Sequence, residues 1–194
     1  MNAAEPKLLI ASPEMADPFF EKTVVLVWHY DEEGAIGVIV NRPLSEARAR
    51  GIMPDAKAIN LPDVLVMDDE VDMAPYAENE VAWGGPVDLE SGTIVALGEI
   101  EEHEGWKLPD GVAVTRSQDA LVRLIADRAK LRLCLGYAGW GPGQLDQEIA
   151  DGGWLFTDVD PRLLFEVQPE ECWEAAIASL GIQSSWISMK PIEA

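Results

Sequence analysis

Apolar residues in this chain gather in short unbroken runs instead of alternating or helical stripes. Leu8 to Ala11, Thr23 to Tyr30 and Ala35 to Val40 are strand-length and rich in β-branched and aromatic residues. They lack the regular polar residue that a half-solvated sheet shows, so they predict strands covered on both faces. Asp31-Glu32-Glu33-Gly34 predicts a hairpin loop between the second and third runs, and Asn41-Arg42-Pro43 ends the third, because proline withholds a ladder donor. Shorter strands are predicted at Val81 to Trp83, Thr93 to Leu97, Val112 to Thr115, Leu131 to Leu135 and Trp154 to Thr157.

Helical spacing follows Ser117, which can cap a helix through Ala129 with Leu121, Leu124, Ile125 and Arg128 in step. Gly141-Pro142 predicts a second helix, carrying Leu145 and Ile149 on one face. Asp160-Pro161 opens a short helix, and Pro169 opens a longer one whose stripe is Trp173, Ala176, Ile177 and Leu180. Between Leu44 and Asn79 the pattern weakens to a short helix at Ser45 to Arg50, three prolines and the apolar piece Val64 to Met67. The elements sum to one α/β (α+β) domain over 1–182 with a mostly antiparallel, strongly curved sheet flanked by helices. It carries an irregular acidic insertion at about 44–79 and a loosely ordered tail at 183–194.

The length of 194 residues suits one domain, and 48% apolar with 25% charged residues excludes a disordered or fibrous chain. Charge changes the picture more. Fourteen Lys and Arg against 35 Asp and Glu leave −21, which opposes direct binding to nucleic acid or anionic lipid, since both rest on Lys and Arg. Between Lys57 and Lys107 stand 13 carboxylates and no Lys or Arg, read as a solvated face, with an acidic surface for a basic partner as the alternative. No run approaches the ~18–20 apolar residues of a membrane span, and the first residues lack the basic flank and apolar run of a signal peptide. Two cysteines without CxxC spacing point to a reducing cytoplasm and two buried thiols.

Candidate chemistry is sparse. His29 and His103 have no second ligand at metal spacing, and the acidic run from Asp68 lacks the glycine and glutamate of a calcium loop, so no metal is expected. The densest feature is Leu135-Gly136-Tyr137-Ala138-Gly139-Trp140-Gly141-Pro142-Gly143-Gln144. Read as a strand-to-helix turn, its glycines allow close backbone approach, but its spacing matches no phosphate-binding loop, and no cofactor is expected. Cys134 is read as a small core residue, with a nucleophile opening onto a pocket as the alternative. Arg42 could grip a carboxylate through its fork or serve an internal ion pair.

Several blocks in order resemble one bacterial family, YqgE/AlgH: Asp17-Pro18-Phe19-Phe20 with Thr23 to Leu26, Gly34 to Pro43, Gly84-Gly85-Pro86-Val87, Ser117 to Leu121, and Gly136 to Leu145. Asp146 stands where that family usually has Glu. The resemblance implies a compact fold whose curved, bifurcated sheet forms a pseudo-barrel, and it supplies no reaction. Some members are labelled transcriptional regulators of exopolysaccharide synthesis; with no basic recognition helix here, any such role is expected to be indirect.

The resulting expectation is a cytoplasmic protein that binds a small molecule or a protein partner. Its candidate pocket joins Asn41, Arg42, Gly84, Gly85, Pro86, Tyr137, Trp140, Gln144 and Glu148, the polar or glycine-rich ends of apolar strands. A hydrolase or transferase working through Cys134 or a water on Glu148 is the alternative, and a direct DNA-binding regulator the third reading.

Overall fold

Successive side chains of β1 (Lys7–Ala11) and β2 (Val24–Asp31) enter different cores, which is why their sequences show no polar alternation. Leu9, Ala11, Val25 and Val27 pack on one side of the sheet, while Leu8, Ile10, Val24, Leu26 and Trp28 pack on the other. The computed structural model describes residues 5–55, 59–65 and 71–182; the tail from Gln183 and the acidic run Asp68-Asp69-Glu70 lie outside them.

The remaining strands are β3 (Gly34–Ile39), β4 (Ala82–Trp83), β5 (Val87–Leu97), β6 (Gly105–Lys107), β7 (Val112–Thr115), β8 (Lys130–Trp140) and β9 (Trp154–Asp158). They form one nine-stranded sheet in the order β6-β7-β5-β8-β3-β2-β1-β9, with β4 paired to β8 off that path. Every neighbouring pair is antiparallel except β4 with β8. The outcome is a single curled, half-barrel α+β domain.

One layer of helices, α1 (Leu44–Ala49), α2 (Leu61–Val64), α3 (Gln118–Ala126) and α4 (Gln144–Ala150), delivers Leu44, Ala47, Leu61, Leu121, Leu124, Ile125 and Leu145 to the first core. The other layer, α5 (Pro161–Phe165) and α6 (Pro169–Ser179), delivers Leu163, Leu164, Trp173, Ala176 and Ile177 to the second. Ser117 caps α3 by accepting from the Ala120 N–H at 3.2 Å, as its position predicts. The helix stops at Ala126, earlier than the spacing predicts, because Arg128 adopts φ 57 and leaves the helical region.

The sheet forks along β8. Its first half pairs with β5, whereas Ala138 to Trp140 pair with β3 on the opposite edge. Where β3 has turned away, β4 fills the gap in parallel, with Ala82 opposite Cys134 and Trp83 opposite Leu135. The glycine segment therefore differs from the turn predicted for it. β8 runs through Gly136 and Gly139 to Trp140, and only Gly141 to Gly143 turn, with Gly143 at φ 71 preceding α4. Pairing on both edges overrides the low strand propensity of glycine. The described residues between Leu44 and Asn79 also hold more order than their pattern predicts: α1, α2 and a 3-10 turn at Ala74–Tyr76.

Candidate functional site

The crotch of the fork is built from three of the sequence blocks. Arg42 O accepts from the Trp83 N–H at 2.7 Å, the Gly84 N–H donates to Leu135 O at 2.7 Å, and Gly84 O accepts from the Ile39 N–H at 2.8 Å. Asn41, Arg42, Gly84, Gly85, Gly136 and Tyr137 thus meet in space, but they form a packed joint. A Cβ on Gly84 would lie 2.3 Å from Gly136 O, one on Gly85 2.2 Å from the Tyr137 carbonyl carbon, and one on Gly136 2.4 Å from Gly85 O. The glycines are needed because two backbones touch, which leaves no volume for a ligand between them.

The polar side chains of the joint are spent on the protein itself. Asn41 Oδ1 accepts from the Val24 N–H at 2.7 Å, and Nδ2 donates to Lys22 O at 3.0 Å. Arg42, 1% exposed, donates to Phe19 O at 2.5 Å and Glu21 O at 2.6 Å, and its Nε lies 3.7 Å from Glu46 Oε1. Burial, with the charge of Arg50 second, pulls its guanidinium down to about 10, so it stays charged at neutral pH. The fork of Arg42 ties β3 to the Phe19–Glu21 turn. Pro86 is exposed beside the joint, and Tyr137 lies half-buried under Arg116, 5.6 Å from its ring.

Trp140, Gln144 and Glu148 form a second cluster at the far end of β8. Glu148 accepts from Trp140 Nε1 at 2.9 Å, Trp154 Nε1 at 2.8 Å and Gln144 Nε2 at 2.8 Å. Phe20 closes the group, its ring 5.5 Å from Trp154 and 6.3 Å from Trp140. Gln144 Oε1 also accepts from the Gly141 N–H at 3.1 Å, pinning the turn. The i,i+4 spacing of Gln144 and Glu148 makes this cluster legible in the sequence, whereas Trp154 and Phe20 arrive only through the fold.

Both thiols are buried. Cys134 is fully buried under Gly84, and burial pushes it up to about 12; Cys172 is buried against Leu163 O and pushed up to about 11. Cys134 also stands six residues before Trp140 on the same strand, roughly 20 Å away along it, so the thiol and Glu148 belong to different places. His29 pairs with Asp31 at 3.0 Å on the surface. Among the described residues no group of three or more His, Cys, Asp or Glu is placed to hold a metal ion.

Open space lies on the other side of the wedge. Below β4 the edge of β8 that β3 has left is bordered by the Pro75–Val81 segment, where Tyr76 Oη donates to Ala129 O at 2.9 Å and Asn79 Nδ2 donates to Leu131 O at 3.3 Å. A cleft of about 460 Å³ opens there, reaching from Pro43, Leu61 and Leu133 across Arg132 to Phe165 and Gln168 at the α5–α6 junction. This volume falls within the ~300–1,000 Å³ of small-molecule sites. Sequence reasoning missed it, although Arg132 between Leu131 and Leu133 is a guanidinium set in an apolar strand, and that anomaly was the available signal.

A forked, curled sheet between two helical layers, with a closed joint and an open cleft on either side of one wedge strand, defines the class: an α+β half-barrel. The sequence profile of the AlgH-like family matches residues 8–185. The chain is 36% identical over 182 residues to a UPF0301 protein of Psychrobacter cryohalolentis, covering 93% of this chain and 91% of that one. It is 37% identical over 185 residues to a UPF0301 protein of Ruegeria pomeroyi, with 94% of each chain covered. The solution structure of the AlgH protein from Pseudomonas aeruginosa superimposes with a TM-score of 0.66 at 32% identity, over 100% of this chain and 97% of that one. A crystal structure of protein DIP2367 from Corynebacterium diphtheriae shares the fold, with a TM-score of 0.69 at 20% identity over 98% and 94% of the two chains. This chain belongs to the AlgH-like (UPF0301) family. No helix among its described residues is long and apolar enough to cross a membrane.

Proposed function

We propose that this protein binds a small molecule in the cleft at the fork of its sheet, and that any effect on transcription runs indirectly through that bound state. The observation that carries the reading is the cleft itself: about 460 Å³ between β8, the Pro75–Val81 segment and the α5–α6 junction, where the sheet parts. Both thiols are buried with their ionisation suppressed, and the Glu148 carboxylate is held by three donors, which favours binding over a nucleophilic or acid–base role for these groups. A charge of −21 favours indirect over direct action on DNA.

The test fills the cleft from outside. Gln168 lines it, is exposed and makes no side-chain cap to α6, so Gln168→Trp occupies the mouth without touching either core. Fragments found by ligand-observed NMR with the native chain are expected to lose binding to Gln168→Trp while the circular dichroism spectrum is unchanged. Fragment binding that survives the substitution places the site elsewhere.

A further inference from the structure

Fourteen cationic side chains serve the whole chain against 35 carboxylates, yet Arg128, Lys130 and Arg132 all line the one cleft. Two of them are engaged: Arg128 with Asp72 at 3.3 Å and Lys130 with Glu166 at 2.9 Å, both pairs solvent-exposed. Arg132 is different. Its Nη2 donates to Leu164 O at 3.0 Å, its Nε–H is buried without a partner, and no carboxylate among the described residues lies within the 4.0 Å of an ion pair. A buried guanidinium N–H left unpaired costs free energy that an incoming acceptor would recover.

We propose that the cleft takes a small organic anion, with its single carboxylate or phosphate head on Arg132. The planar fork suits such a head, because a guanidinium can present two parallel N–H bonds to two oxygens. Leu61, Leu133, Phe165 and Val167 give the body of the ligand an apolar wall. Glu78, Glu80 and Glu170 share the lining and set an upper limit on ligand charge: they repel a polyanion such as a nucleotide or a nucleic acid strand, whereas a single anionic head meets the one cation of the lining that has no carboxylate partner among the described residues. The mismatch between Arg132 and its surroundings is what selects the ligand.

This inference rests on the cleft being the binding site, and the experiment separates the two. The ¹⁵N-labelled full chain is titrated at matched ionic strength with sodium butyrate, inorganic phosphate, 1-butanol and sodium chloride, following the backbone amides and the Arg132 Nε–H resonance. Butyrate, phosphate or both should give saturable shifts at Arg128–Leu133 and displace the Arg132 Nε–H signal, beyond any effect of chloride. Which of the two acts reports whether the head is a carboxylate or a phosphate. Arg132→Gln should weaken that binding roughly tenfold or more, with Arg132→Lys intermediate. If butanol binds the cleft as well as butyrate does, the anion fails and the cleft stands; if no probe shifts the cleft beyond chloride, the anion fails outright. The native-chain comparison does not depend on either variant folding.

Discussion

A glycine can be required by its own dihedral angle or by what lies over it, and two positions in this chain separate the causes. Gly51 and Gly136 both sit at φ +73, but nothing lies within 4 Å of a Cβ on Gly51, whereas a Cβ on Gly136 would meet Gly85 O at 2.4 Å. Gly51→Ala should therefore cost only about 1–2 kcal/mol of left-handed strain. Gly136→Ala should cost about 3 kcal/mol or more, because backbone has to move, and urea denaturation of the pair measures the difference. Cysteine behaviour follows from burial in the same way. With Cys134 and Cys172 raised to about 12 and 11, neither should react with a disulfide reagent at pH 8 in the native chain. Both should react once the chain is unfolded in guanidinium, and fast labelling of one thiol in the native state would show a site that the packing denies.

At the scale of elements, the ends of strands were harder to read than their centres. The run Leu131 to Leu135 predicts the core of β8 correctly, but glycines at 136 and 139 conceal its continuation to Trp140, since strand pairing with β5 and β3 is a property of the fold. β6 was invisible for a related reason. Its three residues, Gly105–Lys107, pair with β7 and carry the exposed Trp106, so they show neither length nor alternation. What anchors β6 is local and titratable. The Arg123 guanidinium, followed by the Glu101 N–H, holds the Glu104 carboxyl below its ordinary value of 4.5, and Glu104 O accepts from Thr115 Oγ1 at 2.7 Å. A folded carboxyl shifted downward stabilises above its ordinary value and loses that contribution as pH falls through the folded one. Arg123→Ala should accordingly lower the melting temperature at pH 7, and the gap from the native chain should close as pH falls below 4.5. A gap that stays constant with pH would mean that Arg123 acts through packing alone.

For the molecule as a whole, the family and the curled sheet were legible because the ordered blocks are the parts that build the fork: Asn41-Arg42, Gly84-Gly85 and Gly136 are its joint. The same residues drew attention as a pocket because glycine and a buried arginine accompany ligands as readily as they accompany close packing. Space, not residue type, distinguishes the two, and space is not written in the chain. The cleft lies one layer further on, where β3 and β8 have parted and Arg132 has no ion-pair partner among the described residues. The most direct measurement is amide chemical-shift mapping of a fragment library on the ¹⁵N-labelled protein. Shifts should concentrate at Tyr76–Val81, Arg128–Leu133 and Phe165–Glu170, the walls of the cleft. A cluster centred instead on Trp140 to Glu148, or shifts scattered over the surface, would contradict the account.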